Sequence, residues 1–134
     1  MTKPVLLVVA AALFDAGGRI LLAQRPEGKQ LAGLWEFPGG KLEPGEAPEA
    51  ALVRELEEEL SITVNESSLE PLTFASFAYP DFHLIMPLYG CKEWSGFLRP
   101  REGQAIAWVE ASRLRDYPAP PADLPLFDWL ARRP

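Results

Sequence analysis

GKLEPGEAPEAALVRELEEELSI, residues Gly40 to Ile62, is the stretch on which the reading of this chain turns. Glu55, Glu58 and Glu59 stand at i, i+3 and i+4, so on a helix their carboxylates share one face. Three acids that close repel one another and partly protonate unless a cation neutralises them, and hard oxygen donors suit magnesium or manganese. Pro48 fits the first turn of such a helix, with Glu46 and Glu49 near its positive end, while Ala47 brings no capping hydroxyl. The helix is expected over Pro48 to Leu60, packing through Ala50, Ala51, Leu52, Leu56 and Leu60. Arg54 adjoins the acids and can orient a carboxylate by pairing with it. The run Glu57-Glu58-Glu59 taken alone reads as a solvated helix face, with a helix carrying a divalent-metal cluster as the sharper reading of the three acids on one face.

Outward from the helix, the chain reads as strands and turns. Val5 to Phe14 is continuously apolar, a buried strand; Asp15 to Gly18 is a turn, and Arg19 to Arg25 returns as a second strand. The pair reads as a β-hairpin at the centre of the sheet. A loop from Pro26 to Gly33 precedes a short strand, Leu34 to Phe37, that runs into Pro38-Gly39-Gly40, where two glycines let backbone approach a ligand. After the helix, Leu69 to Tyr79 and His83 to Cys91 are strands joined across Pro80-Asp81, and Ala105 to Val109 is another. Trp94 to Arg101 is a turn or edge, Glu110 to Tyr117 a short helix, and Pro125 to Arg132 the last helix. The expected fold is α+β, a mixed β-sheet sandwiched between helices in an α/β/α arrangement, with residues 1–134 forming one domain.

Composition narrows the partners. Of 134 residues 48% are hydrophobic, enough for a core, and the formal charge of -6 argues against stable nucleic-acid binding or an anionic membrane surface. A phosphorylated small molecule remains compatible, because bound metal supplies the positive charge. The single cysteine, Cys91, reads as a core thiol in a reducing compartment, and Val5 to Phe14 is too short to span a bilayer and lacks a signal-peptide pattern; a cytoplasmic protein, monomer or weak homodimer, is expected. His83, the only histidine, reads as a packed or hydrogen-bonded strand residue, not a catalytic base.

The spacing of Gly40, Glu46, Arg54, Glu55, Leu56, Glu58, Glu59 and Ile62 resembles the Nudix box, G-x5-E-x7-R-E-U-x-E-E-x-G-U, with Ser61 in place of the final glycine. That departure touches the turn ending the helix, where a left-handed residue is often wanted and a serine costs about 1 kcal/mol. Beyond the box, Leu22-Ala-Gln-Arg25, Gly33 to Gly40, Arg101-Glu-Gly-Gln104 ahead of Trp108, and Tyr117 to Pro125 are similar to the MutT-like branch of the Nudix hydrolases. The resemblance implies a Nudix sandwich that uses Mg2+, or Mn2+, to hydrolyse a nucleoside triphosphate to a monophosphate and pyrophosphate. It implies that Glu55, Glu58, Glu59 and the Gly39 carbonyl hold metal, with Glu102 as a further ligand or candidate base. Glu55, Glu58, Glu102 and Arg54 are then the catalytic set, and Glu55 and Glu102 both stand as candidates for orienting or deprotonating the water.

For the substrate, the resemblance implies contacts from Arg25, Gln30, Glu36, Phe37, Pro38, Gly39 and Asp123, with Leu6, Val8 and Leu84 as apolar walls. Phe37 would stack on the base and Arg25 would offer a donor fork. Asp123 stands where familiar MutT enzymes have asparagine, a feature shared with CTP pyrophosphohydrolases, and Phe82 stands where purine-specific relatives have arginine. The first functional expectation is therefore an 8-oxo-dGTP diphosphatase that cleans the nucleotide pool. The alternative is a CTP, oxidised-pyrimidine or broad (d)NTP pyrophosphohydrolase, and the alternative from another class is a non-catalytic nucleotide- or lesion-sensing module. Tyr79, seventeen residues past Ile62, sits where a tyrosine marks dinucleoside-polyphosphate hydrolases but reads as a strand tyrosine.

Overall fold

The computed structural model describes residues 3–133; residues 1, 2 and 134 of the expected domain lie outside the described residues. Seven strands and two α-helices follow in the order β1 (Val5–Leu13), β2 (Ile20–Gln24), β3 (Trp35–Glu36), β4 (Gly39–Lys41), α1 (Pro48–Leu60), β5 (Glu70–Ala78), β6 (His83–Cys91), β7 (Ile106–Val109) and α2 (Leu124–Arg132). A mixed four-stranded sheet has the order β4-β1-β6-β5, with β1 and β6 parallel and the other pairs antiparallel. A second, antiparallel sheet has the order β3-β2-β7.

Two sheets replace the expected central hairpin. Phe14 and Ile20 make one isolated bridge, and beyond it β1 and β2 part. β6 lies along one edge of β1 and β4 pairs the other at Val8–Ala10, while β7 pairs β2 from Ile20 to Ala23 and β3 pairs it at Ala23 and Gln24, so these partners take the places a continued β1/β2 ladder would need at Val8–Ala10 and Ala23. The uniform burial expected of β1 also fails in its first half. Val5 is 64% and Leu7 44% exposed, and full burial begins only at Val9, where α1 covers the sheet.

From Val9 onward the strand's alternation divides the core in two. Ala10 and Ala12 join Ile20, Leu22, Leu88 and the α2 residues Leu126, Phe127 and Leu130 on one side. Val9, Ala11 and Leu13 join Leu21 and the α1 residues Leu52, Leu56 and Leu60 on the other. Each fully buried leucine removes enough apolar surface to contribute about 2 kcal/mol, which makes α1 a fixed platform. Cys91 is buried and donates from Sγ to the Glu93 carbonyl, and His83 Nε2 lies 2.7 Å from Ser76 Oγ, both as structural residues. Tyr79 falls just past β5 and stacks on Phe82 with ring centroids 5.0 Å apart. Within Glu110 to Tyr117, expected as a short helix, Ala111–Asp116 forms a 3₁₀ helix. Among the described residues no helix is long and apolar enough to cross a membrane.

Candidate functional site

Two glycines bring the metal-type acids and the sheet together. Gly39 and Gly40 pair with Ala10 and Val9 across the β1/β4 ladder. A Cβ on Gly39 would lie 1.9 Å from the Val9 carbonyl oxygen, and one on Gly40 would lie 2.5 Å from the Glu55 carboxyl carbon. The first glycine lets β4 lie on β1; the second makes the space the Glu55 carboxylate occupies. The helix behind them starts at Pro48 without a side-chain cap, and it ends as the missing glycine suggested, with Ser61 left-handed at φ 63° and its N–H on the Glu57 carbonyl at 3.1 Å.

Arg54 is the hub of the acidic face. Its Nε and Nη2 donate to both oxygens of Glu46 at 2.8 and 2.9 Å, and Nη2 also reaches the Lys41 carbonyl at 3.1 Å. Nη1 donates to Glu55 Oε1 at 3.0 Å and Glu58 Oε2 at 3.2 Å. The fork pulls Glu46 down to about 2, and its acidic partners, Glu46 first, raise Arg54 above its ordinary value. Glu59 turns away from Arg54 and accepts the Gly39 N–H at 3.0 Å. Burial first, then the charges of Glu55, Glu36 and Glu102, push its pKa up to about 8. Glu55 is raised as well, chiefly by burial.

Glu102 faces this group from the loop before β7, with Oε2 2.8 Å from Lys29 Nζ and its N–H on Gln104 Oε1 at 2.9 Å. Among the described residues no three acid, histidine or cysteine side chains close on one point as they stand. The donor set nevertheless fits a hard divalent ion. Its expected members are carboxylate oxygens and the Gly39 carbonyl oxygen, and an added cation would bring down the raised pKa of Glu59.

Of these acids Glu59 and Glu102 line a cavity of about 190 Å³ together with Arg25, Glu36, Phe37, Gly39 and Asp123, while Glu55 and Glu58 lie outside its lining. Asp123 is 5% exposed, and its Oδ2 accepts the Phe37 N–H at 3.3 Å. Burial and the nearby Glu36 charge push its pKa up to about 7 against the opposing pull of that N–H and of Arg25. Arg25 Nε lies 3.0 Å from Glu36 Oε2, close enough for an ion pair, yet it is off-axis and among the described residues the buried Nε has no hydrogen-bond acceptor.

The expected site residues do not all meet here. Phe37 lines the cavity but is only 5% exposed, its ring edge-on to Phe127 at 5.4 Å, so most of it is core and little of its face is open to a base. Gln30 is exposed and outside the cavity lining, with only its carbonyl near Arg25 Nη1 at 3.5 Å. Pro38 is buried and gives its carbonyl to Ala11 N–H at 2.9 Å. Glu58 is half-exposed on the Arg54 side, Val8 lines the cavity, and Leu6 and Leu84 belong to the α2-side core. Lys29, Gln24, Met86 and Gln104 line the cavity without having been expected. Met86 was within reach of strand alternation from Leu84 to Leu88; Lys29 sits in an aperiodic loop that carries no such signal.

A family model described as "NUDIX domain" matches residues 9–129. The chain is 39% identical over 133 residues to the CTP pyrophosphohydrolase of Escherichia coli, covering 92% of this chain and 90% of that protein. It is 40% identical over 130 residues to the 8-oxo-dGTP diphosphatase of Haemophilus influenzae, covering 97% and 94%. The solution structure of the E. coli ORF135 protein superposes with a TM-score of 0.81 at 38% identity, covering 94% of this chain and 88% of that one.

Proposed function

This chain belongs to the NUDIX family as a MutT-like enzyme that hydrolyses nucleoside triphosphates, and from that premise we propose that its preferred substrate is 8-oxo-dGTP. Residues 1–134 are taken as one catalytic domain that removes this nucleotide from the pool before a polymerase uses it. The observation that carries the choice of base is Asp123, a buried carboxyl poised near neutrality in the cavity lining beside Arg25 and Glu36. Ionised, it accepts a hydrogen bond; protonated, it also donates one, which recovers the pairing range of an asparagine. The oxidised purine carries an N7–H donor where guanine has a lone pair, and a carboxylate oxygen accepts from the first and repels the second.

Magnesium dependence is typical of the family. Glu55, Glu58, Glu59, Glu102 and the Gly39 carbonyl would hold the metal, which when bound screens the phosphate charge and lowers the pKa of the attacking water. The rest falls to the chain. Water attacks the β-phosphorus in line, a P–O bond forms to it, and the bond to the bridging oxygen breaks so that the monophosphate leaves with that oxygen. Glu55 or Glu102 receives the proton. Arg54 fixes the directions of Glu55 and Glu58, which is positioning, the main thing such a reaction requires of a protein.

A second reading, hydrolysis of CTP or oxidised cytosine nucleotides, is favoured by the cytidine-directed relative. The two separate in kcat/KM measured with magnesium for 8-oxo-dGTP, dGTP, dCTP and 5-hydroxy-dCTP. A large preference for 8-oxo-dGTP over dGTP supports the first reading, faster cleavage of the cytosine nucleotides replaces it with the second, and no turnover of any of them refutes both.

A further inference from the structure

Ser61 is the one position of the box that departs from the family pattern, and the structure gives its hydroxyl a partner that a glycine lacks. Ser61 Oγ accepts Arg101 Nε at 2.8 Å and donates to the Arg99 carbonyl at 3.4 Å. The same segment is docked through its backbone. Arg99 N–H lies on the Leu60 carbonyl and Arg101 N–H on the Glu59 carbonyl, both at 2.9 Å, while Ser95 and Thr63 exchange two bonds at 2.9 Å. Residues 95–101 therefore run across the end of α1 and satisfy carbonyls that a helix C-terminus leaves open. Arg101 is held at two points, its N–H and its Nε, by residues two apart on the helix end.

The residue after that double anchor is Glu102. Its own N–H is taken by Gln104 Oε1 at 2.9 Å. We propose that Ser61 is a positioning residue: through Arg101 its hydroxyl fixes Glu102 opposite Glu59, tying the direction of the loop acid to the helix that carries the other acids. The proposal rests on the reading of Glu102 as an acid of the metal and phosphate site. It explains why a serine is tolerated in a left-handed position: the bond to Arg101 offsets the backbone cost.

The test uses the full-length protein, with Mn2+ titrated into metal-free enzyme and kcat and KM measured for one triphosphate. Ser61→Gly keeps the left-handed turn and removes the acceptor, so the melting temperature should hold or rise. Its Mn2+ Kd should rise and kcat fall by about three- to tenfold, the worth of one hydrogen bond, with KM within about twofold. Arg101→Met should match it, and the double variant should be no worse than Arg101→Met alone because both remove one link. Ser61→Asn, which tolerates the left-handed region and restores an acceptor oxygen, should return both values toward wild type. Glu102→Gln separates the two layers. If it weakens Mn2+ binding while Ser61→Gly changes nothing, the positioning role is wrong; if Glu102→Gln itself changes neither Mn2+ binding nor kcat, the reading of Glu102 is wrong and the proposal falls with it.

Discussion

Asp123→Asn offers a measurement in which the site's electrostatics appear as stability. Asp123 is 5% exposed and its pKa is pushed from 3.8 to about 7. The sign follows from proton binding: between those values the folded protein keeps a proton that the unfolded chain releases. The stability from this group is full below 3.8, falls by about 1.4 kcal/mol per pH unit as pH rises, and levels off above 7. From pH 5.5 to 8.0 the unfolded carboxyl is ionised throughout, while the folded one passes from protonated to ionised, so the wild type loses about 2 kcal/mol. An asparagine side chain is neutral at both pH values. Urea unfolding of both proteins in chelator and without nucleotide should show Asp123→Asn gaining about 2 kcal/mol on the wild type over that interval, a midpoint shift of about 1 M. Glu36 and Glu59 are present in both proteins and cancel in the difference to first order. If the stability difference between the two proteins is the same at pH 5.5 and 8.0 within about 0.5 kcal/mol, Asp123 is not held near neutrality and the argument for its donor role collapses.

Gly39→Ala places a Cβ against the Val9 carbonyl and should cost about 1–3 kcal/mol of unfolding free energy, whereas Gly40→Ala presses on a movable Glu55 carboxylate and should keep the fold while cutting turnover about tenfold or more. Thermal melts beside kcat will separate them, and equal melting temperatures would show that β4 yields more easily than its contacts suggest. Glu59→Gln and Glu58→Gln should each lower kcat about 100-fold with circular dichroism unchanged, and wild-type rates in both would remove the acids from the site. Magnesium should bind more tightly as pH rises toward 8, by up to about tenfold per unit, because Glu59 must first lose its proton. Calorimetric titrations across pH 6 to 8.5 check this, and a Kd independent of pH would contradict the raised pKa.

How legible these features were depended on whether the cause was local. The limits of α1 follow from Pro48, the apolar stripe and the left-handed stop at Ser61, all readable in one short stretch. The partition of β1 and β2 between two sheets was not readable there, because Asp15 to Gly18 is a sound turn. What parts the strands is competition from β4, β6, β3 and β7, three of them distant in sequence. Exposure of Val5 and Leu7 has the same origin: α1 covers only the later half of β1, and strand composition says nothing of where a helix stops. In the site, the acids on one helix were legible from their spacing, but Gln30 and Pro38 were assigned to the substrate by resemblance alone. Loop conformation sends one outward, and the β1 ladder claims the carbonyl of the other.

Spacing identified which acids share a face but not how each would be neutralised. Arg54 spends two donors on Glu46 and touches only one oxygen each of Glu55 and Glu58. Glu59 gives one oxygen to Gly39 N–H, and Glu102 gives one to Lys29. Among the described residues, each of these four acids thus has one oxygen engaged by a donor and the other without a hydrogen-bond partner. A divalent ion's hard-oxygen preference asks for charge and number of donors, and each of these carboxylates keeps one oxygen to supply. Arg54, the Gly39 N–H and Lys29 each hold one arm of an acid, and since among the described residues no three of these side chains close on one point as they stand, the free arms would be drawn together only when an ion binds.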